Sequence, residues 1–177
     1  MRISQLILPT LMLFLFSGCA SMKPAEFEKG AVPGDPVQFF AGHTRSAGVV
    51  ENRGGKPTAR ITTETMGIWK DSVLNIEQDL YPEGGKKNHR SWKLRRIDAH
   101  HVEATANDID GTAHGLLYGN TVSWAFRLKL QNRKFIRHAR MSQEFYLMPG
   151  GQTMIIRSVI RKFSFVVAQI TEEFQKY

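Results

Sequence analysis

The chain has 177 residues, a formal net charge of +8 and a single cysteine, Cys19. This length suits one domain with its own core, and one cysteine excludes an intramolecular disulfide. An excess of basic residues is compatible with binding to nucleic acid or to an anionic membrane surface, or with a solvated surface that has no partner. The sequence carries no signature of a nucleic-acid-binding fold, so no nucleic-acid partner is expected.

The first residues have the order of an exported leader. Arg2 supplies a positive charge, and a largely apolar run follows over residues 3–16. This run is shorter than the roughly 20 residues that cross a hydrocarbon core, so it predicts a signal peptide over residues 1–18. Ser17 and Gly18 are small and directly precede Cys19, which resembles a bacterial lipobox, although Phe16 is larger than is usual there.

The lipobox resemblance implies that the Cys19 thiol is acylated and the leader removed. Acyl chains such as palmitate would then attach the protein to membrane lipid, and two chains hold stably where one is marginal. Ala20 follows the cysteine, which points to the outer membrane and a periplasm-facing domain. The alternative is a secretory leader followed by a free thiol.

The mature chain divides into a tether and one folded domain. Residues 19–35 contain Pro24, Gly30, Pro33 and Gly34 without periodicity, which predicts a lipidated tether. Residues 36–177 form the predicted domain, with little helix. Alternation and turn residues predict strands over 45–52, 58–65, 72–81, 90–97, 101–106, 113–118, 121–130, 134–147, 152–160 and 163–174.

The stretch 121–130 is the clearest strand. Val122, Trp124, Phe126 and Leu128 share one face, and Trp124 is expected to be buried. About nine or ten sequential antiparallel strands either stack as a sandwich or close as a barrel, and closure removes exposed edges. The predicted fold is therefore all-β, with an antiparallel barrel as the favoured form.

Several motifs together resemble the bacterial lipoproteins of the domain-of-unknown-function family numbered 3833. They are Phe39-Phe40-Ala41-Gly42, Trp92, Ala104-Thr105-Ala106-Asn107-Asp108, Gly111-Thr112-Ala113-His114-Gly115, Gly119-Asn120 and Trp124. The resemblance implies a lipocalin-like barrel and a periplasm-facing lipoprotein, without an established activity. The C-terminal third departs from the family pattern at Gln143-Glu144-Phe145, Ile156-Arg157 and Ser164.

No motif indicates catalysis, a cofactor or a metal, so the chain is not predicted to be an enzyme. Asp108, Asp110 and Gly111 resemble the start of a calcium loop, but its terminal glutamate is missing, which favours an Asx-stabilised turn. Gly111, Gly115 and Gly119 recur every fourth residue and predict turns, bulges or close backbone approach. His100 and His101 are adjacent, so on a strand they would point to opposite faces.

The candidate binding residues lie on two predicted strands. Arg137 shares its strand parity with Phe135, and an arginine on an apolar lumen face could bind a carboxylate through paired hydrogen bonds. Alternatively, this face points outward or Arg137 pairs with Glu144. Aromatic residues either line or fill the lumen, and the sequence leaves this open for Trp92, Trp124, Phe126, Phe135 and Phe165.

Three functions follow from these alternatives. The first hypothesis is binding or carriage of an apolar ligand, such as a fatty acid or another lipid, in an open lumen. The second is a structural or assembly lipoprotein of the envelope whose barrel is filled by side chains. An enzyme that acts on lipids is third, because no acid–base or nucleophile set is visible.

Overall fold

A computed structural model describes residues 23–30, 33–130 and 138–177. Two short 3-10 helices, Pro24–Gly30 and Gln38–Phe40, precede the strands. The described residues form ten strands: β1 (Gly42–Asn52), β2 (Pro57–Lys70), β3 (Val73–Pro82), β4 (Asn88–Arg96), β5 (His101–Ala106), β6 (Ile109–Tyr118), β7 (Thr121–Lys129), β8 (His138–Leu147), β9 (Thr153–Lys162) and β10 (Phe165–Lys176).

The ten strands close into one antiparallel barrel. Each strand pairs with its neighbour along the chain, and β1 pairs with β10 to complete the circle. In this last pair of strands, Thr44 lies opposite Lys176 at one end and Asn52 lies opposite Ala168 at the other. Closure leaves neither terminal strand with an unpaired edge along this register. The predicted all-β, lipocalin-like barrel is therefore confirmed.

Alternating side chains separate the lumen from the outer surface. On β7, Val122, Trp124 and Phe126 are buried, whereas Arg127 and Lys129 are exposed. On β4, Trp92 and Leu94 point inward in the same way. Successive strand residues face opposite sides of a sheet, so one side of each strand supplies the core. The predicted burial of Trp124 is confirmed.

The connection between β5 and β6 is shorter than predicted. Ile109 is buried within β6, and only Asn107 and Asp108 form the turn. Their side chains reach across to β4 instead of capping their own turn, since Asn107 Oδ1 accepts from the Ser91 amide at 3.1 Å. The Asx-turn interpretation was therefore wrong, because cross-strand partners occupy these side chains.

The three glycines spaced by four residues serve three different purposes. Gly111 adopts φ +76° where the β6–β7 register shifts, as in a bulge. At Gly115, an added Cβ would lie 2.7 Å from Val102 Cγ2. Gly119 adopts φ +53° in the turn before β7. A bulge, a close approach and a turn are the alternatives that the spacing predicted.

The second 3-10 helix closes one end of the barrel. Its buried Phe40 packs edge-on against Phe145 and Phe174, with ring centroids 6.2 Å and 5.8 Å away. Gly67 on β2 permits this position, because a Cβ there would lie 1.8 Å from the Phe40 carbonyl oxygen. The Lys176 ammonium donates to the Phe39 carbonyl at 3.0 Å. Contacts with β2 and β10 thus hold the second 3-10 helix in place.

Two segments differ from their predicted form. Part of the predicted tether forms the 3-10 helix Pro24–Gly30, which packs beside β6 and β7. This position brings the Phe27 ring centroid to 5.4 Å from that of Tyr146.

Phe163 was predicted to begin the last strand, but Phe163 and Ser164 form the β9–β10 turn with φ values of +47° and +70°. The predicted strand over 134–147 is described from His138 onward.

Candidate ligand site in the barrel lumen

A cavity of about 180 Å³ lies inside the barrel. Its wall is mainly apolar and draws on nearly every strand, with Ile61, Ile76, Leu94, Val102, Val122, Met141, Ile156 and Ile170 among its aliphatic residues. Val37 and Phe40 lie at the end closed by the second 3-10 helix. Barrels of this kind can enclose one small ligand, so the lumen is the candidate functional site.

Aromatic side chains form one side of the lumen. The Trp92 and Trp124 rings stack with centroids 5.3 Å apart and planes 19° apart. Phe126 is buried beside them, edge-on to Trp92 at 5.5 Å. Phe145 contacts the other side of Trp124 at 5.1 Å. The sequence-predicted residues Trp124 and Phe126 therefore lie together on the inner face.

The other aromatic candidates lie elsewhere. Phe165 borders the Phe163–Ser164 turn and is 68% exposed, so its proposed place in the lumen was wrong. Phe135 and Arg137 lie outside the described residues, as does Cys19. Glu144, the alternative partner for Arg137, accepts a hydrogen bond from the Tyr146 hydroxyl at 3.1 Å.

Two glutamines hold the indole rings in place. Trp92 Nε1 donates to Gln78 Oε1 at 2.9 Å, and Trp124 Nε1 donates to Gln143 Oε1 at the same distance. Gln143 in turn donates to Ser158 Oγ at 3.0 Å. Buried indole N–H groups need such partners, and each glutamine also restricts its indole's rotation. Hydrogen bonds within the protein consequently set the orientation of both rings in the aromatic wall.

Among the described residues, the arginine that lines the lumen is Arg90. It lies at the start of a predicted strand and was not predicted as a site residue. Asp108 Oδ2 accepts from Arg90 Nε at 2.8 Å and from Nη2 at 2.7 Å. Both side chains are mostly buried, with 11% and 19% exposure, and the guanidinium lies 5.5 Å from the Trp92 ring. A buried arginine without a compensating acid would be costly, and Asp108 provides that acid.

Glu172 is the most unusual lumen residue. It is 8% exposed, and its Oε1 accepts hydrogen bonds from Ser46 Oγ at 2.7 Å and Thr63 Oγ1 at 3.0 Å. Burial raises the pKa of Glu172, while these two hydrogen bonds and the Arg90 charge partly oppose the rise. Glu172 was not among the predicted site residues, although its strand parity with Ile170 and Phe174 placed an acid on an apolar face.

Neither histidine of the adjacent pair points to a metal. His100 stacks on Tyr118 with centroids 4.4 Å apart, and His101 pairs with Asp98 at 2.8 Å. Within 23–30, 33–130 and 138–177, no group of three or more His, Cys, Asp or Glu side chains could hold a metal ion.

Over the same ranges, neither helix has the length and apolar character needed to cross a membrane.

Comparisons with known proteins bear on the fold and the family. A solved structure of the S-type phycobiliprotein lyase CPES from Guillardia theta superposes with a TM-score of 0.59 at 10% identity, over 85% of this chain and 97% of that chain. At this identity the likeness concerns the fold alone. No curated protein matches the chain. The family model described as "Protein of unknown function (DUF3833)" matches residues 13–176, so the chain belongs to the DUF3833 family.

Proposed function

We propose that the protein binds a small apolar ligand inside its barrel. The observation that carries this proposal is the cavity of about 180 Å³ between the tryptophan pair and the aliphatic wall. An apolar cavity of about 150 Å³ is large enough to hold benzene, so this lumen has room for a ring or a short alkyl chain. Each buried methylene would contribute about 0.8 kcal/mol to binding.

The hydrogen bonds that orient the aromatic wall also favour binding. Each indole donates a hydrogen bond, Trp92 to Gln78 and Trp124 to Gln143, so a ligand would not have to order the two rings. The second 3-10 helix covers one end of this wall with the buried side chains of Phe39 and Phe40. An apolar wall with a few fixed polar groups is the usual form of a ligand pocket.

Binding can be tested with the unlipidated mature chain and a neutral fluorescent probe of matching size, such as naphthalene. Ile160 lines the cavity, so Ile160→Trp should fill the space and weaken probe binding by about tenfold or more. Val159 is its neighbour on the outer face of β9, and Val159→Trp is the matched control, which should bind as the wild type does. Fluorescence titration measures both affinities.

Two results would count against a ligand. A wild-type chain that binds neither the probe nor any co-purified molecule in native mass spectrometry would favour the assembly role with a closed lumen. Equal probe binding by Ile160→Trp and Val159→Trp would place the probe outside the barrel.

We further propose that acylated Cys19 attaches the barrel to the outer membrane, facing the periplasm. Small residues precede Cys19, and the family match begins at residue 13, so it includes this lipobox-like stretch. Membrane lipid is thus the second partner of the protein. An anchored barrel would take its ligand from, or deliver it to, the nearby envelope.

Lipidation predicts a loss of membrane association in Cys19→Ser. The serine hydroxyl does not replace the thiol in this modification, so the variant should lack labelled palmitate and leave the membrane fraction. Metabolic labelling followed by fractionation measures both properties, with Ser21→Ala as a neighbouring control that keeps the cysteine. Undiminished palmitate labelling of Cys19→Ser would contradict the anchor.

A further inference from the structure

Glu172 faces the cavity with half of its carboxylate unused. Ser46 and Thr63 both donate to Oε1, whereas Oε2 accepts no hydrogen bond from any residue that the structure describes. The side chain is more than nine-tenths buried and lines the cavity. Oε2 keeps some accessible surface, since the fully buried polar atoms without a partner among the described residues are Thr44 Oγ1, Asp108 Oδ1 and Thr121 Oγ1. The unused oxygen thus marks a position where a ligand would gain by donating a hydrogen bond.

Among the described residues, Glu172 has no cationic hydrogen-bond partner in the cavity wall. Arg90 and Glu172 are the charged residues that line the cavity, and Arg90 already gives two of its donors to Asp108. The neighbouring side chains on the strands beside Glu172 carry no charge. They are Ser46 on β1, Ile156 and Ser158 on β9, and Thr63 one strand further on β2. The groups beside the Glu172 carboxylate are therefore neutral, apart from Arg90, whose charge acts on Glu172 without a hydrogen bond.

We propose that the ligand is a small apolar amine whose ammonium group donates to Glu172 Oε2 while its hydrocarbon part fills the tryptophan-lined cavity. This inference rests on the proposed function and names the head group that the lumen selects. An ammonium would donate to Oε2 and would place a positive charge beside the ionised carboxylate. A carboxylate head group would instead place a second negative charge beside Glu172.

The protonation of Glu172 connects binding to pH. Burial raises the pKa of this carboxyl, so the empty lumen favours its neutral form over a wider pH range than an exposed glutamate. A bound ammonium favours the ionised form. Affinity for an amine should therefore be high above the raised pKa and should fall as the pH drops through it, whereas a neutral alcohol should show no such change.

The experiment compares three ligands of equal chain length, octylamine, octanol and octanoate, as competitors for a neutral fluorescent probe. The wild-type mature chain should bind octylamine about tenfold or more tightly than octanol, the difference expected for one charge-assisted hydrogen bond. Octanoate should bind most weakly. Lowering the pH from about 8 to below the ordinary glutamate pKa of 4.5 should reduce this preference for the amine, which stays protonated throughout.

A pair of neighbouring variants assigns the effect to one side chain. Glu172→Gln keeps the shape but removes the charge, so it should lose most of the preference for octylamine and keep its affinity for octanol. Glu173 points outward on the same strand and is exposed, so Glu173→Gln should behave as the wild type does. The wild-type ranking remains informative even if the Glu172 variant folds poorly.

Each outcome separates the inference from the proposed function. Binding of octanol without a preference for the amine, or an amine preference that survives Glu172→Gln, would overturn the inference and leave the ligand-binding barrel intact. Tightest binding of octanoate would also overturn it and would favour the arginine–carboxylate arrangement predicted around Arg137. Failure of all three ligands and of the probe would overturn the proposed function itself.

Discussion

Replacing Trp124 by alanine should lower the free energy of unfolding by about 3–5 kcal/mol, the usual cost of removing a large buried aromatic side chain. Trp124 stacks on Trp92 and contacts Phe145, so the substitution removes two aromatic contacts together. It also removes the indole N–H whose hydrogen bond Gln143 Oε1 accepts at 2.9 Å. Urea unfolding followed by circular dichroism measures the change.

Trp69 provides a partly exposed comparison at the end of β2, beside the second 3-10 helix. Its side chain is more than one-third exposed and donates to Gln38 Oε1 at 2.8 Å. Trp69→Ala should therefore cost about 1 kcal/mol, the worth of one hydrogen bond with limited packing. A loss below about 1 kcal/mol for Trp124→Ala would contradict its role in the packed wall.

The second large effect is expected at Asp108. Asp108→Ala should destabilise the barrel by about 2–4 kcal/mol, because it leaves the mostly buried Arg90 guanidinium without its acid. Asp110 lies two residues further on, is 44% exposed and is 3.6 Å from Arg127. Asp110→Ala should cost less than about 1 kcal/mol, since exposed ion pairs contribute little.

A double-mutant cycle separates the pair from its surroundings. Arg90→Leu combined with Asp108→Ala removes both charges, so the double variant should recover part of the stability that Asp108→Ala loses. Chemical unfolding of the four proteins gives the coupling energy. Additive losses would mean that the two side chains do not depend on each other, in spite of their separation of 2.7 Å.

Local patterns were enough to predict the strands and the buried aromatic face. The alternation of Val122, Trp124 and Phe126 identified the inner side of β7 because strand periodicity is a property of adjacent residues. The turn at Asn107 and Asp108 was misjudged because its side chains bind β4, a partner that no local rule supplies. Bulges and cross-strand hydrogen bonds depend on register, which the chain acquires only in the sheet.

The candidate site was harder to predict for the same reason. Glu172 is separated by 126 residues from Ser46 and by 109 from Thr63, its two hydrogen-bond donors. Its parity on β10 indicated an inward acid, but which groups would surround it depends on barrel closure. Arg90 likewise becomes a lumen residue with a partner only when β4 and β5 pair.

The pairing between β1 and β10 has a consequence for how the protein is made. Nine of the ten strand pairings join neighbours along the chain and can form as synthesis proceeds, but the last joins Gly42–Asn52 to Phe165–Lys176. Bringing such distant segments together is a slow, entropically costly step. Until it occurs, β1 exposes an open edge that invites pairing with another chain. Because Ser46 and Glu172 lie on opposite sides of this junction, the candidate site and the protection from aggregation are completed in the same event.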